Sequence, residues 1–253
     1  MNRIRKIFLP LLTFSVLILL WWSIVSFSGI KEALLPSPLS VWDAFIEVAS
    51  SGILFKHILA SLFRVAVGFL SATIVAIPLG LLLGTRKYLH EAFDPILQVM
   101  RTISPISWIP LAILWFGIGD TPAIFIIFIT AFFPILISTA LSIKHIDPIL
   151  IKVGTNFGAS KSQLLWKIIL PAISPYIIIG LKISLGISWV IIVAAEMVGM
   201  SSGLGYMILD ARNFLRTDLI IAGMFVVGII GFLLDRSLNL IELKVKRLVG
   251  FTS

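Results

Sequence analysis

What most constrains this chain is its repeated return to apolar runs about as long as a bilayer is thick. A helix needs roughly 20 residues to cross the hydrocarbon core. Runs of about that length open near Ile7, Ile58, Pro122, Ile173 and Leu219. Charge between them is scarce: Asp, Glu, Lys and Arg make up 13% of 253 residues, against roughly 25% in a soluble domain. So little charge cannot cover a water-facing surface, but it is enough for the loops of a bundle embedded in lipid. The predicted fold class is all-α, a polytopic membrane protein forming a single transmembrane domain over residues 1–253. About six spans are expected, near 7–29, 58–84, 103–116, 122–143, 173–198 and 219–241. The third is short and broken by Pro105 and Pro110. Leu35-Pro36-Ser37-Pro38 reads as a rigid extended piece, followed by a short amphipathic helix with Val41, Ala44, Phe45 and Val48 on one face.

Sidedness follows from where the positive charge collects. Thirteen of the 20 basic residues fall at one set of loops and ends, among them Arg3, Arg5, Lys6, Arg86, Lys87, Arg101, Lys144 and Lys167. The opposite loops hold only Lys31, Lys56, Arg212 and Arg216. Cytoplasmic loops carry the excess of Lys and Arg, so both termini are expected in the cytoplasm, with the first run retained as a span. The basic excess is therefore topological. It forms no basic stripe interleaved with exposed aromatics, and no nucleic-acid partner is expected.

Enzyme chemistry finds no support in the residues. There is no cysteine, hence no disulfide or thiolate metal site. No His-Glu-x-x-His or phosphate-loop pattern occurs. His57, His90 and His145 form no evident ligand set, so no metal, cofactor or catalytic residue is expected in this chain.

Residues 144–171 form the longest polar connection. Within it Ser160 or Ser162 can cap a helix start. Leu164, Leu165, Ile168 and Ile169 then give an apolar stripe while Lys161 and Lys167 stay wet, and Pro171 is expected to end the helix before the next span. Such a helix suits docking of a partner or packing on its own bundle, and the residues alone leave both open.

Gly158, then nine residues, then Ile168-Ile169-Leu170-Pro171 is similar to the Gly-x9-Ile-x-Leu-Pro loop of permease subunits of bacterial ABC importers. Where that family has Glu-Ala-Ala, this chain has Lys152-Val153-Gly154. Other segments resemble the nitrate, sulfonate, taurine and bicarbonate branch. They include Ser61-Leu62-Phe63-Arg64-Val65-Ala66-Val67-Gly68-Phe69, the run Ile109–Asp120, Gly180-Leu181-Lys182 and Trp189–Glu196. The resemblance implies the fold of a type I importer permease in a bacterial inner membrane. It implies coupling to an ATPase through Gly158, Ala159, Ser160, Leu164, Leu165, Ile168, Leu170 and Pro171. It also implies partners: a second copy of the permease, two cytoplasmic ATP-binding subunits that hold ATP and Mg, and an extracytoplasmic solute-binding protein. The solute implied is a small anion.

Candidates for the path are the polar residues placed in spans, since charges in hydrocarbon usually face a bundle interior or water. Arg64 and Lys182 are expected to attract an anion unless they are paired with neighbours. Glu196 is expected to fix packing or an outer gate. Ser104, Ser107 and Trp108 lie on the Pro-broken span. Ser184, Ser188 and Trp189 lie on the fifth, where Gly180, Ser184 and Ser188 also form a small-residue strip suited to close helix contact. Rival functions are a carrier or channel working without ATPases, and a structural membrane protein with no path.

Overall fold

The computed structural model describes Arg3 to Leu248 except Ile30, with side chains placed from Phe8 to Arg247. Both chain termini and the side chains of Arg3, Arg5 and Lys6, used above for sidedness, lie outside the described residues. The all-α fold expected from the sequence is the fold found, and no strand occurs among the described residues.

Five helical stretches are long and apolar enough to cross a membrane: Phe8–Phe27, Ile53–Thr85, Asp120–His145, Lys161–Glu196 and Thr217–Arg247. They belong to helices α1 (Arg3–Phe27), α3 (Ile53–Thr85), α6 (Asp120–Ser142), α9 (Leu170–Glu196) and α11 (Thr217–Leu248). A sixth is possible only as a bent pair. Helix α4 (Lys87–Thr102) meets Pro105–Phe116 at 87°, the latter being a single 3-10 turn followed by α5 (Ile109–Phe116). The expected third span at 103–116 corresponds to one arm of this bent pair. The break has a local cause: a residue before proline is steered away from helical ψ, and Ser104, before Pro105, takes ψ 128 while Ile103 takes ψ 122.

Helices α3 and α6 form the axis of the bundle. Gly68, Ala72, Ala76, Gly80 and Gly84 recur every four residues and line one face of α3. A Cβ on Gly68 would sit 2.7 Å from the Ile124 carbonyl, one on Gly80 2.7 Å from that of Leu136, and one on Gly84 2.7 Å from that of Ala140. In lipid no hydrophobic force draws helices together, so close backbone approach between small residues supplies the contact. Helix α9 also packs on α6, where a Cβ on Gly180 would fall 2.5 Å from Ser138 Oγ. Helix α11 is fastened to α9 by Trp189, whose Nε1 donates to the Val227 carbonyl at 2.9 Å and whose ring occupies the space a Gly231 side chain would need.

The expected short helix forms as α2 (Pro38–Ser50), starting two residues earlier than expected because Pro38 fits a first helical position, with Ser37 capping Ser40 N–H. It lays Val41, Ala44 and Val48 inward. Helix α1 stands off the bundle, and its Trp21 stacks on Phe225 of α11 at 6.1 Å.

The loop after α6 is helical almost throughout: α7 (Pro148–Asn156), then α8 (Lys161–Leu164), which runs without a break into α9. Pro171 therefore does not end a helix, contrary to expectation. The chain widens to a π turn over Leu165–Ile169, and Leu170 N–H bonds back five residues to Leu165 O. A wide turn of this kind gives room for a proline ring that would clash in a regular helix.

At the opposite end, Arg216 Nη2 donates to Glu47 Oε2 at 2.8 Å and ties α2 to the turn before α11. Hydrogen bonding and charge from Arg216 hold the Glu47 carboxyl below its ordinary 4.5. A carboxylate lowered on folding stabilises above its unfolded pKa and loses that contribution as pH falls through the folded value. Hydrogen exchange in α2, corrected for intrinsic rate, is expected to stay flat from pH 7 downward and to rise only below pH 4.5.

Candidate translocation path and coupling loop

The best-developed polar feature is a buried knot where α3, α6 and α9 meet the segment before α10 (Leu204–Asn213). Arg64 is 2% exposed and Glu196 is fully buried. The guanidinium has a partner at every nitrogen. Nε donates to Asp120 Oδ1, Nη1 to Glu196 Oε1 and to the Ser202 carbonyl, and Nη2 to Ser202 Oγ, all at 2.7 Å. Nη2 also lies 2.7 Å from Asp120 Oδ1. Glu196 accepts further from Ser61 Oγ at 2.8 Å and from Gly205 N–H at 3.0 Å. Ser61 Oγ receives Leu204 N–H at 2.9 Å, and His57 Nδ1 receives Gly203 N–H at 3.0 Å.

This arrangement satisfies a buried charge pair completely, and it leaves Arg64 no donor for a passing anion. Of the two roles weighed for Arg64, the geometry is that of internal pairing. Glu196 sits where a packing role needs it. The sequence reading missed Ser61, Asp120, Ser202 and His57. The available signal was that Ser61 and Arg64 are three apart on one helix face, and that Asp120 directly follows a Gly-x-Gly turn. The knot also explains Gly203, where a Cβ would fall 2.2 Å from Glu196 Cδ, and Gly205. A Cβ on Gly205 would meet the Val193 carbonyl at 2.1 Å and Glu196 Cβ at 2.9 Å. Gly205→Ala is expected to push α10 off α9 and lower stability by about 1–3 kcal/mol, measured as loss of thermal stability in detergent.

Lys182 lies nearer the other end of α9. It donates to Asn239 Oδ1, with Asp235 at 3.8 Å and Glu242 at 3.9 Å. Two carboxylates on α11 therefore face this ammonium, which acts as a tie between α9 and α11. Ser184 and Ser188 are fully buried, and neither hydroxyl has a partner among the described residues. They extend the Gly180 strip, so close helix packing, the rival reading, is what their geometry fits. Trp189 is 4% exposed and serves the α11 contact described above.

Ser104 and Ser107 are exposed at the bend between α4 and α5. Trp108 is half-buried and packs with Ile109, Ala112, Ile126 and Ala195. Just before the bend, Arg101 is exposed in the last turn of α4. A basic residue there complements the helix dipole, an effect of about 0.3–1 kcal/mol.

In the coupling loop, Ser160 forms a capping box with Gln163 and starts α8. Gly158 supplies a left-handed turn at φ 77. Ala159 N–H closes this turn on the Gly154 carbonyl at 3.0 Å. The apolar stripe faces the protein itself. Leu164 and Ile168 fill the space beside Gly154, where a Cβ would meet Ile168 Cδ1 at 2.5 Å and Leu164 Cδ2 at 2.7 Å. Leu165 is half-buried, and Leu170 packs against Ile146, Ile173 and Ile177. The most exposed apolar groups among the described residues of the loop are Phe157 at 88%, Trp166 at 64% and Ile149 at 63%. Phe157 borders a groove of about 550 Å³ lined also by Leu150, Val153, Gln163 and Lys167.

Comparison with known proteins places this geometry. Residues 76–247 match the family described as binding-protein-dependent transport system inner membrane component. The taurine transport system permease protein TauC of Escherichia coli is 34% identical over 243 residues, covering 94% of this chain and 88% of that one. The nitrate import permease protein NrtB of Synechocystis is 39% identical over 246 residues, covering 94% and 88%. The bicarbonate transport system permease protein CmpB of Synechococcus elongatus is 40% identical over 233 residues, covering 86% and 82%. Among solved structures, an inward-facing form of the MetNI methionine ABC transporter superposes with a TM-score of 0.70 at 21% identity. That match spans 78% of this chain and 98% of the other, and shows the shared fold. With the match running through the bundle, the loop and the last span, the chain belongs to the family of binding-protein-dependent transport system inner membrane components, the permease subunits of ABC importers.

Proposed function

We propose that two copies of this chain enclose the path of an importer for a small anion, of the class of nitrate, bicarbonate, taurine or an alkanesulfonate. Two cytoplasmic ATP-binding subunits dock on the loops, and an external solute-binding protein delivers the solute. The chain does no covalent chemistry. Both termini and the 144–171 loop face the cytoplasm of a bacterial inner membrane, a reading supported by the basic residues gathered at that end.

The observation that carries this reading is an unbroken helical rod from Lys161 to Glu196, 36 residues long, or about 54 Å by helical rise. One end of the rod is the loop beside Phe157 and Trp166, and the other is held in the Arg64 knot. A push on the loop is therefore delivered along a stiff element to the opposite face. It reaches a segment whose backbone is gripped by Ser61, His57 and Glu196. This is the coupling an importer needs between nucleotide-driven closure on one side and access on the other. The glycine turn and capping box at Gly158–Gln163 fix how the loop meets its partner.

The chain contains no cysteine, so Trp166→Cys provides a single handle. In the assembled importer it is expected to crosslink to the ATP-binding subunit, with a yield that changes between nucleotide-free and ATP-bound states. No crosslink to that subunit in either state would count against docking at this loop.

A further inference from the structure

The bend between α4 and α5 holds a cation with no partner, at a depth where a cation needs one. His90 Nε2 lies 3.3 Å from Lys144 Nζ, which puts the start of α4 level with the loop end of α6. Further along α4, Leu97 packs against the cluster containing Ala131, Leu136 and Ala140. Beyond the bend, Trp108 packs against the cluster of Ile109, Ala112, Ile126 and Ala195. Arg101, grouped from the sequence with the charges of the cytoplasmic loops and ends, lies between these contacts along the chain, one helical turn beyond Leu97. It is eleven residues beyond His90, or about 16 Å along the helix.

Its side chain is exposed, and among the described residues it has neither an ion pair nor a hydrogen bond. The other two cations placed in spans and weighed for anion binding, Arg64 and Lys182, both face carboxylates. Glu91, ten residues back along α4, already pairs with Lys87 at 3.8 Å. Asp94 is seven residues from Arg101, about 10 Å along the axis and too far for direct pairing. A guanidinium at this depth does not rest against hydrocarbon; it faces water or a partner. The hydroxyls of Ser104 and Ser107 follow within one turn of the bend, exposed and likewise without partners.

We propose that Arg101, with the hydroxyls of Ser104 and Ser107, is an oxyanion-binding station in the water-filled path. The proposal rests on the importer reading and names where in this chain the solute is held. The chemistry suits it: a guanidinium offers a planar fork that matches carboxylate, sulfonate or nitrate oxygens, and the serines add neutral donors to a shared oxygen. An anion held this way is neutralised by one charge and not trapped by several, as conduction through a path requires. A lipid headgroup phosphate offers the same oxyanion chemistry, so the test separates the two.

Ser104→Cys is placed in the assembled importer in membrane vesicles and treated with two water-soluble methanethiosulfonates, one bearing a sulfonate and one a trimethylammonium group. Ile229→Cys, exposed on the apolar face of α11, serves as the lipid-facing control. Ser104→Cys is expected to react far faster than the control. The ratio of sulfonate to trimethylammonium reactivity is expected to fall about tenfold when Arg101→Gln is added, because a nearby unit positive charge favours one reagent and disfavours the other. Reactivity no greater than the control, as for an arginine among lipid headgroups, would overturn the station, and so would an unchanged ratio.

Reconstituted uptake of nitrate, bicarbonate and taurine then separates the station from the reading it rests on. Arg101→Gln is expected to lose about tenfold or more of the uptake that the unmodified importer shows, with Arg101→Lys recovering part. Full uptake by Arg101→Gln overturns the station alone. An unmodified importer that carries none of the three anions overturns the anion-import reading, and the station with it.

Discussion

Arg64→Met is expected to destabilise the folded protein by roughly 3–5 kcal/mol, the largest stability loss expected from any single exchange considered for this chain. The cost comes from what the substitution leaves behind. Glu196 is fully buried, and without the guanidinium it keeps only Ser61 Oγ and Gly205 N–H. The Ser202 carbonyl and hydroxyl lose their donors as well. A buried pair contributes little net stability compared with apolar packing, but breaking one side of it strands the other. The double variant Arg64→Met with Glu196→Gln is therefore expected to recover a substantial part of the loss. Thermal unfolding in detergent measures both. A single variant less than about 1 kcal/mol below the parent would mean that water already solvates the knot.

Phe157→Asp combined with Trp166→Asp is expected to abolish ATP-driven uptake while leaving the subunit as stable as the parent. Both side chains are exposed in the isolated subunit, at 88% and 64%, so the folded chain loses little packing. Aromatic anchors at an interface commonly account for 2 kcal/mol or more of binding, and a buried, unpaired carboxylate adds its own penalty. Loss of two such anchors should lower ATPase association by at least about a hundredfold. The expected signature is intact folding, loss of the co-purifying ATP-binding subunit, and no uptake. Changing Leu164 or Ile168 would be less informative. Both are packed beside Gly154, and their loss would disturb the loop itself.

The membrane fold was legible because it depends on a coarse property, the length of apolar runs, which survives local error. The short amphipathic helix was legible for the same reason, since Val41, Ala44 and Val48 keep one face. Tertiary partners were not. Arg64 announces a buried charge, but nothing in its own neighbourhood says that Asp120 and Glu196, 56 and 132 positions away, will meet it. The loop stripe Leu164-Leu165-Ile168-Ile169 had the right period for a helix face. Periodicity alone does not tell whether that face meets a partner or its own chain. The deciding residue was Gly154, whose missing side chain gives Leu164 and Ile168 their space. Pro171 misled because a proline is a helix breaker only where the preceding turn is tight, and here the π turn relieves it.

This permease is expected to move solute only when ATPases drive it through the 157–169 loop. The most direct test is uptake into proteoliposomes holding this chain alone, or the chain with its ATP-binding subunits and solute-binding protein. The predicted result is accumulation of an anion only in the complete system, abolished when ATP is replaced by a non-hydrolysable analogue. Equal transport by the chain alone, or accumulation that persists without hydrolysis, would contradict it.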